Sequence, residues 1–196
     1  MLHAMLRHLA PRRVIEVGSG YSSALMLDTA EQHQLGTRLT FIDPEPERAR
    51  GLLRSDDLAS VITGTVKEIP LETFTELEPG DVLFIDSSHI SRAGSDVNWL
   101  YFEVLSRLAP GVFVHVHDVF WPFDYPAAYL ERKWAWNEAY LLWAMLTFSD
   151  GLEIVLFPGF LEERHAGELA QASPGAMERP PNWPTLRGMS IWLRRT

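Results

Sequence analysis

The segment that most constrains the fold of this chain runs from Val14 to Ser23 and reads VIEVGSGYSS. A short apolar strand leads into a turn with two glycines, and a stretch of helical character follows. This succession is typical of the phosphate- or nucleoside-binding start of an α/β fold. The glycines allow the backbone to turn sharply and to lie against a ligand where a Cβ would clash.

A carboxylate inside this strand distinguishes the turn from a dinucleotide fingerprint. That fingerprint has a third glycine where Ser23 stands. Glu16, two residues before the first glycine, would repel a pyrophosphate but would attract an ammonium group, such as that of an amino-acid ligand. The turn therefore indicates a nucleoside-type ligand other than a dinucleotide.

Length and charge bound the class of protein. The 196 residues, of which 46% are hydrophobic and 22% charged, suit one globular α/β domain. A net charge of −9 without a basic cluster argues against a nucleic-acid partner. The absence of cysteine excludes disulfides, thiolate zinc sites and a cysteine nucleophile. No apolar run is long enough for a membrane span and the first residues lack a cleavage-like site, so we expect a cytoplasmic protein.

Apolar strands alternate with helical segments along the chain, which predicts a doubly wound sheet. The predicted strands are Val14–Val17, Arg38–Asp43, Ser60–Thr63, Asp81–Asp86, Val112–His117, Gly151–Phe157 and Met189–Leu193. The predicted helices are Ser22–Gln32, Glu45–Arg54, Ser95–Leu108 and Asn137–Phe148. The proline-containing stretch 159–185 is predicted to be an irregular excursion before the last strand.

Polar residues follow the central strands and form the candidate site. Asp43 ends the second strand, about where a nucleoside-binding fold places the carboxylate for ribose hydroxyls. Asp86-Ser87-Ser88-His89 follows the fourth strand, and His117-Asp118 ends the fifth. Each alone reads as a turn or cap residue. Because the carboxyl ends of parallel strands meet at one edge, the set in this order favours a ligand site.

Five motifs carry a family resemblance. They are VIEVGSGYSS, FIDPEPERA, LEPGDVLFIDSSHISRAGSDVNWLYFEVL, LAPGVFVHVHDVFWPFDYP and SIWLRR, and they cover nearly the whole chain. The chain resembles the class I S-adenosylmethionine-dependent methyltransferases, specifically the bacterial group of small-molecule O-methyltransferases. The fold class expected is α/β: a Rossmann-like, seven-stranded, mostly parallel sheet with an antiparallel last strand, in a single domain over residues 1–196. Members of the group usually carry a further N-terminal segment, and the sequence leads us to expect that this chain lacks it.

The resemblance implies a site for S-adenosylmethionine at the ends of the first four strands. The residues implied to contact the cofactor are Glu16, Gly18, Ser19, Gly20, Tyr21, Ser22, Asp43, Val66, Lys67, Asp86 and Ser87. The glycine turn would lie beside the methionine part, and Glu16 would face the amino group directly or through water. Asp43 would bind the ribose hydroxyls, and Val66 and Lys67 would flank the adenine. Glu68 is the nearest carboxylate to the adenine amino group, and its role stays open.

The chemistry of methyl transfer to a hydroxyl requires a base or a metal that removes the proton. His89 is the natural base, since histidine titrates at about pH 6.5. Asp86 and Asp118 end neighbouring strands and can converge on a divalent cation, with His117 as a further ligand. Oxygen ligands suit Mg²⁺, and His117 shifts the preference toward Mn²⁺. The alternative is that Asp86 contacts the cofactor or backbone while His115 and His117, on one face of their strand, are packed sheet residues.

An aromatic-rich stretch from Phe120 to Trp143 holds four of the seven tryptophans. It follows the fifth strand, at the mouth of the expected site. Flat side chains there suit an acceptor pocket. A packed core or a dimer contact explains them equally well.

The sequence thus predicts methylation of a small-molecule or sugar hydroxyl, with His89 as base and metal assistance left open. One alternative is an NAD-dependent oxidoreductase, which Ser23 and Glu16 disfavour. Another is a non-catalytic module that binds the cofactor. Nucleic-acid methylation is not expected, because the Asn/Asp-Pro-Pro-aromatic motif of amino-methylating enzymes is absent after the fourth strand. The expected partner is a small-molecule acceptor, and a homodimer stays open.

Overall fold

The computed structural model describes residues 1–55, 57–173 and 188–196. Its strands are Arg13–Val17 (β1), Arg38–Asp43 (β2), Ala59–Thr63 (β3), Val82–Ile85 (β4), Phe113–His117 (β5), Leu152–Leu156 (β6) and Ser190–Arg195 (β7). Its α-helices are Leu2–Leu9 (α1), Tyr21–Gln32 (α2), Glu47–Leu52 (α3), Leu71–Thr75 (α4), Asp96–Trp99 (α5), Ala127–Glu131 (α6), Glu138–Phe148 (α7), Pro158–Arg164 (α8) and Ala166–Ala172 (α9). Helix α5 continues through a wide π turn, Leu100–Val104, and a tight 3₁₀ turn, Leu105–Arg107.

All seven strands form one sheet in the order β3-β2-β1-β4-β5-β7-β6. The pairs from β3 through β5 are parallel, and β7 runs antiparallel to both β5 and β6. This confirms the predicted α/β class with its antiparallel last strand. The strand order reverses between β1 and β4, which is where ligands bind in open α/β sheets.

Both faces of the sheet are covered, because the central strands are apolar on each side. In β4, Leu83 and Ile85 face one core while Val82 and Phe84 face the other. All four are at most 1% exposed. Such burial on both faces is the reason a parallel strand reads as a continuous apolar run. Among the described residues, no helix has the length and apolar character needed to cross a bilayer.

Several segments differ from the sequence prediction, among them the short helices α4 and α6, which were not predicted. Part of the stretch predicted as irregular, 159–185, is helical as α8 and α9, and its remainder from 174 lies outside the described residues. Pro158 occupies the start of α8, where a missing N–H is tolerated. Helix α1, which the sequence reading passed over, buries Met5 and Leu6 against the face that carries Trp192.

Candidate active site

The glycine turn after β1 is pressed against the end of β4. Gly18 has φ +85°, and a Cβ built on it would lie 1.9 Å from the Asp86 carbonyl oxygen. Its N–H donates to Ile42 O at 2.9 Å, and Asp86 N–H donates to Val17 O at 2.9 Å. Both the dihedral and the contact require glycine, so a larger residue at position 18 would force the turn away from the start of the IDSSH segment.

Asp43 holds the same turn from the side of β2. Its Oδ2 accepts hydrogen bonds from the N–H and the hydroxyl of Ser19, both at 2.7 Å, and its Oδ1 accepts from Glu45 N–H at 2.8 Å. Burial alone would raise the pKa of Asp43, but these hydrogen bonds and the charge of Arg48 outweigh it and lower the pKa. The carboxylate predicted to bind ribose therefore also ties the glycine turn to β2.

Glu16 points to the face of β1 that α2 covers, and it has no exposed surface. Its two carboxylate oxygens accept hydrogen bonds from the hydroxyls of Ser22 and Ser23, and Ser23 Oγ also accepts from Gly20 N–H at 2.9 Å. Burial raises the pKa of Glu16 to about 7, against the opposing effect of the two hydroxyls. Serine at the third-glycine position of a dinucleotide fingerprint thus has a structural role here, as a partner of Glu16.

A cavity of about 950 Å³ lies over the ends of β1, β2 and β4. Val66 and Lys67 line it, and Lys67 Nζ donates to Gly94 O at 2.8 Å. Glu68 lines it too, with Oε2 accepting from Thr65 N–H at 2.7 Å and from Thr65 Oγ1 at 2.9 Å. Ser87 Oγ on the same wall is buried and has no hydrogen-bond partner among the described residues. A buried hydroxyl without a partner suits a polar group of a bound ligand.

A second cavity of about 620 Å³ lies on the other side of the glycine turn. Ser19, Gly20, Tyr21 and Ser22 form one wall, and Asp86 lines both cavities. The further wall comes from Met1, Leu2, Pro158, Glu162, Leu169, Gly188, Met189 and Ser190. Asp86 therefore stands at the junction of the two spaces.

Asp86, His89 and Asp118 converge at the ends of β4 and β5. One potential ligand atom from each lies within 4.8 Å of those of the other two. His89 Nε2 is 3.4 Å from Asp86 Oδ1 and 3.6 Å from Asp118 Oδ2. On the opposite edge of the ring, His89 Nδ1 is hydrogen-bonded to Glu138 Oε1. Asp86, Asp118 and the Nε2 edge of His89 form a set of donors that suits a divalent cation, whereas Glu138 lies on the other edge of the ring.

The charges of these carboxylates determine the protonation of His89. Burial alone would lower its pKa, but hydrogen bonds to Asp86 and Glu138 and the charges of Glu138 and Asp118 raise it to about 10. Burial raises the pKa of Asp118 in spite of the nearby histidines. His89 and Asp118 also adopt left-handed backbone conformations, with φ +60° and +54°. Such conformations in non-glycine residues cluster at functional sites.

His117 lies at the edge of this cluster. Its Nε2 is 4.0 Å from Asp118 Oδ1, and its ring lines the second cavity. His115 Nε2 is 3.3 Å from His117 Nδ1, and the His115 ring stacks on Phe84 with centroids 4.0 Å apart. The two histidines share a face, as the strand alternation predicts, with Val116 in the opposite core. His115 is the packed member of the pair, and burial lowers its pKa well below the ordinary value.

The first half of the aromatic stretch after β5 is core. Phe120, Phe123, Tyr125 and Tyr129 are 5–7% exposed and belong to the larger core cluster. Trp136 reaches the site, with its ring centroid 4.1 Å from that of His89. The packed-core interpretation therefore holds for the first half of the stretch.

Glu138 is a site residue that the sequence reading missed. It is the first residue of α7, where acidic residues are common because they interact favourably with the helix dipole. Nothing in the local sequence signals that it faces His89, 49 positions earlier. The contact follows from the packing of α7 against the loop after β4.

Comparison with known proteins places this geometry in a family. The family model described as a methyltransferase domain matches residues 15–119, which span the glycine turn, the IDSSH segment and the HVHD segment. No curated protein matches the chain significantly.

Solved structures share the fold at low sequence identity. The O-methyltransferase TomG from Streptomyces achromogenes, in complex with SAM, has a TM-score of 0.59 and 19% identity, over 100% of this chain and 78% of that one. The SAH-bound methyltransferase PaMTH1 from Podospora anserina has a TM-score of 0.58 and 14% identity, over 100% and 76%. Cofactor-bound Rv0187 from MTB has a TM-score of 0.58 and 15% identity, over 99% and 77%. Because the family model covers more than half of the chain and the fold agrees, this protein belongs to the methyltransferase domain family and is a class I SAM-dependent methyltransferase.

Proposed function

We propose that the protein methylates a hydroxyl group of a small molecule, with His89 as the base that removes the hydroxyl proton. The observation that carries the proposal is the convergence of Asp86, His89 and Asp118 beside the junction of two cavities. A group that handles protons is needed where a hydroxyl must be activated. TomG, which has the same fold, is an O-methyltransferase.

The cofactor is proposed to lie across the glycine turn, with its nucleoside in the first cavity. S-adenosylmethionine supplies an electrophilic methyl group on its sulfonium when bound. Val66 and Lys67 would flank the adenine, and Ser87 Oγ would gain the partner it lacks. Glu16 is covered by Ser22 and Ser23, so we propose that it acts on the ammonium group through the Ser22 hydroxyl. Ser22 itself lines the second cavity.

The acceptor is proposed to enter through the second cavity and to meet the methyl group at Asp86. Phe84, Leu25 and Leu169 give this cavity apolar walls, while His117 and Ser190 offer polar contacts. Apolar walls with a few polar groups are typical of sites for small organic molecules. The acceptor hydroxyl would be oriented there with its proton toward His89.

A divalent cation held by Asp86 and Asp118 is the second part of the proposal. His89 belongs to the same cluster, but a nitrogen that accepts the proton cannot also be a ligand, so His117 is proposed as the further ligand, as predicted from the sequence. With a pKa of about 10, His89 carries a proton at neutral pH and cannot accept another. Its pKa would fall if a cation neutralised the two aspartates, because their charges help to raise it. Mg²⁺ suits the oxygen ligands, and Mn²⁺ also suits an imidazole.

The experiment is an assay of the purified chain with S-adenosylmethionine and a panel of catechols, sugars and phenolic compounds. Product mass and S-adenosylhomocysteine release report transfer. We expect O-methylated product, and we expect His89→Gln to lower kcat by about 10²- to 10⁴-fold, while the exposed His8→Gln matches the wild type. Methylation of nitrogen acceptors alone, or full activity in His89→Gln, would contradict the proposal.

The cation is tested in the same assay with a chelator. We expect turnover to fall in chelator and to recover with Mg²⁺ or Mn²⁺, and Asp118→Asn to abolish the recovery. Undiminished turnover in chelator would contradict the proposed cation but not the proposed methylation of a hydroxyl.

A further inference from the structure

The first residues of α7 form the back wall of the His89 site. Glu138 is 0% exposed, and its Oε1 is hydrogen-bonded to His89 Nδ1. Burying a carboxylate costs free energy unless it is paired, so an isolated buried glutamate is rare. The pairing with His89 therefore calls for an explanation beyond the stability of α7.

Among the described residues, the Glu138 side chain is hydrogen-bonded to His89 alone. Its second carboxylate oxygen, Oε2, is buried and has no hydrogen-bond partner among the described residues. A carboxylate retained for stability would be expected to have both oxygens satisfied. Here the compensating contact is the imidazole ring.

The backbone of His89 is held by the same segment. The His89 carbonyl accepts hydrogen bonds from Asn137 N–H at 3.0 Å and from Glu138 N–H at 3.3 Å. The Asn137 side chain adds two hydrogen bonds to Ser91. Its Oδ1 accepts from Ser91 N–H at 2.6 Å, and its Nδ2 donates to Ser91 O at 3.1 Å. Side chain and main chain of His89 are thus fixed by consecutive residues of one helix start.

The geometry of the ring follows from these contacts. A carboxylate on Nδ1 requires the proton of that nitrogen to lie toward it, so Nε2 is the nitrogen left to face the site. Nε2 lies 3.4 Å from Asp86 Oδ1 and 3.6 Å from Asp118 Oδ2. Trp136 covers the ring at 4.1 Å between centroids.

We propose that Glu138 is a positioning residue that fixes the His89 ring with Nδ1–H turned inward and Nε2 directed between Asp86 and Asp118. The inference rests on the proposed role of His89 and adds a residue outside the 15–119 range of the family match. Glu138 is fully buried behind the His89 ring, so its effect is exerted through His89.

The test uses Glu138→Gln, with the exposed Glu131→Gln as matched control. In the wild type without ligand, nitrogen-15 NMR of labelled histidines should show a downfield, slowly exchanging Nδ1–H that disappears in His89→Gln. We expect Glu138→Gln to lose this resonance or shift it strongly upfield. We also expect kcat to fall roughly 10- to 100-fold with KM values for donor and acceptor within about twofold. Glu131→Gln should change neither quantity.

The outcomes separate the inference from the proposed function. A wild type without the Nδ1–H resonance, or a Glu138→Gln variant that keeps it, overturns the inference whatever the activity, and the wild-type spectrum decides even if the variant does not fold. If Glu138→Gln loses the resonance but His89→Gln keeps full turnover, the role of His89 as the base is wrong, while the contact between Glu138 and His89 stands. Loss of the resonance together with unchanged kcat in Glu138→Gln overturns the positioning role.

Discussion

Glu16 shows how one buried residue links the stability of the chain to pH. Its pKa is raised from the ordinary 4.5 to about 7 by burial, against the hydrogen bonds of Ser22 and Ser23. Between these pH values the folded chain retains a proton on Glu16 that the unfolded chain has released. The free energy of unfolding therefore falls as the pH rises through this window.

We expect Glu16→Gln to remove this dependence in the cofactor-free protein. The shift from 4.5 to about 7 corresponds to on the order of 3 kcal/mol, lost by the wild type across the window and not by the variant. Denaturant unfolding of both proteins, below pH 4.5 and above pH 7, measures the difference. Parallel pH profiles for the two proteins would show that Glu16 does not titrate as argued.

Residue types at the site could be predicted from the sequence, but their partners could not. Asp86, His89 and Asp118 follow predicted strands, so their meeting at one edge follows from topology. Ser22 and Ser23 cover Glu16 because of the way α2 packs on β1. No pattern in the sequence of the turn predicts that packing. Asp43 was expected to face a ribose, and its hydrogen bonds to Ser19 appear only in three dimensions.

At the scale of elements, the start of α7 is joined to the loop after β4 by hydrogen bonds between the Asn137 side chain and the Ser91 backbone. We expect Asn137→Ala, which removes both bonds to Ser91, to lower the free energy of unfolding by about 1–3 kcal/mol. Asn137→Asp keeps an acceptor for Ser91 N–H and should lose less. Denaturant unfolding measures the cost, and hydrogen exchange should become faster at the Ser91 amide. Unchanged exchange at that amide would argue against the link.

The strands were the predictable elements, because parallel strands covered on both faces are continuous apolar runs. Helices α8 and α9 were missed because their residues were grouped with the proline-containing stretch 159–185, and the proline that starts α8 favours a helix start. The helix predicted from Ser95 to Leu108 is real but varies in winding, with a π turn and a 3₁₀ turn after Trp99. Hydrophobic periodicity indicates a helix and does not specify how tightly each turn is wound.

At the scale of the molecule, the sheet order places both cavities at one edge, where binding of the assigned cofactor should stabilise the fold. S-adenosylhomocysteine at a hundred times its Kd should raise the free energy of unfolding by about 2.7 kcal/mol, and NAD should not raise it. Asp43→Asn should reduce this gain, whereas the exposed Asp28→Asn should keep it. Thermal unfolding with each nucleotide measures the effect. Stabilisation by NAD alone would contradict the assigned cofactor.

The fold as a whole was predictable from the alternation and the motifs, since each motif sits at a strand end. The start of α7 could not be predicted as part of the site. It lies outside the motif regions, and its contact with His89 spans 49 positions. Long-range packing of a helix onto a loop leaves no local pattern in either segment.

The outer wall of the second cavity is built separately from the glycine turn and Asp86, and this bears on how new specificity arises in such a chain. Residues that would hold the methyl donor belong to rigid strand ends, with Gly18 wedged against Asp86. The outer wall of the second cavity comes from chain segments remote from those ends, including Met1, α8, α9 and Gly188. If the acceptor binds there as proposed, mutations in these segments can exchange one acceptor for another while the chemistry stays intact. Libraries confined to α8 and α9 are then the natural starting point for redirecting the enzyme.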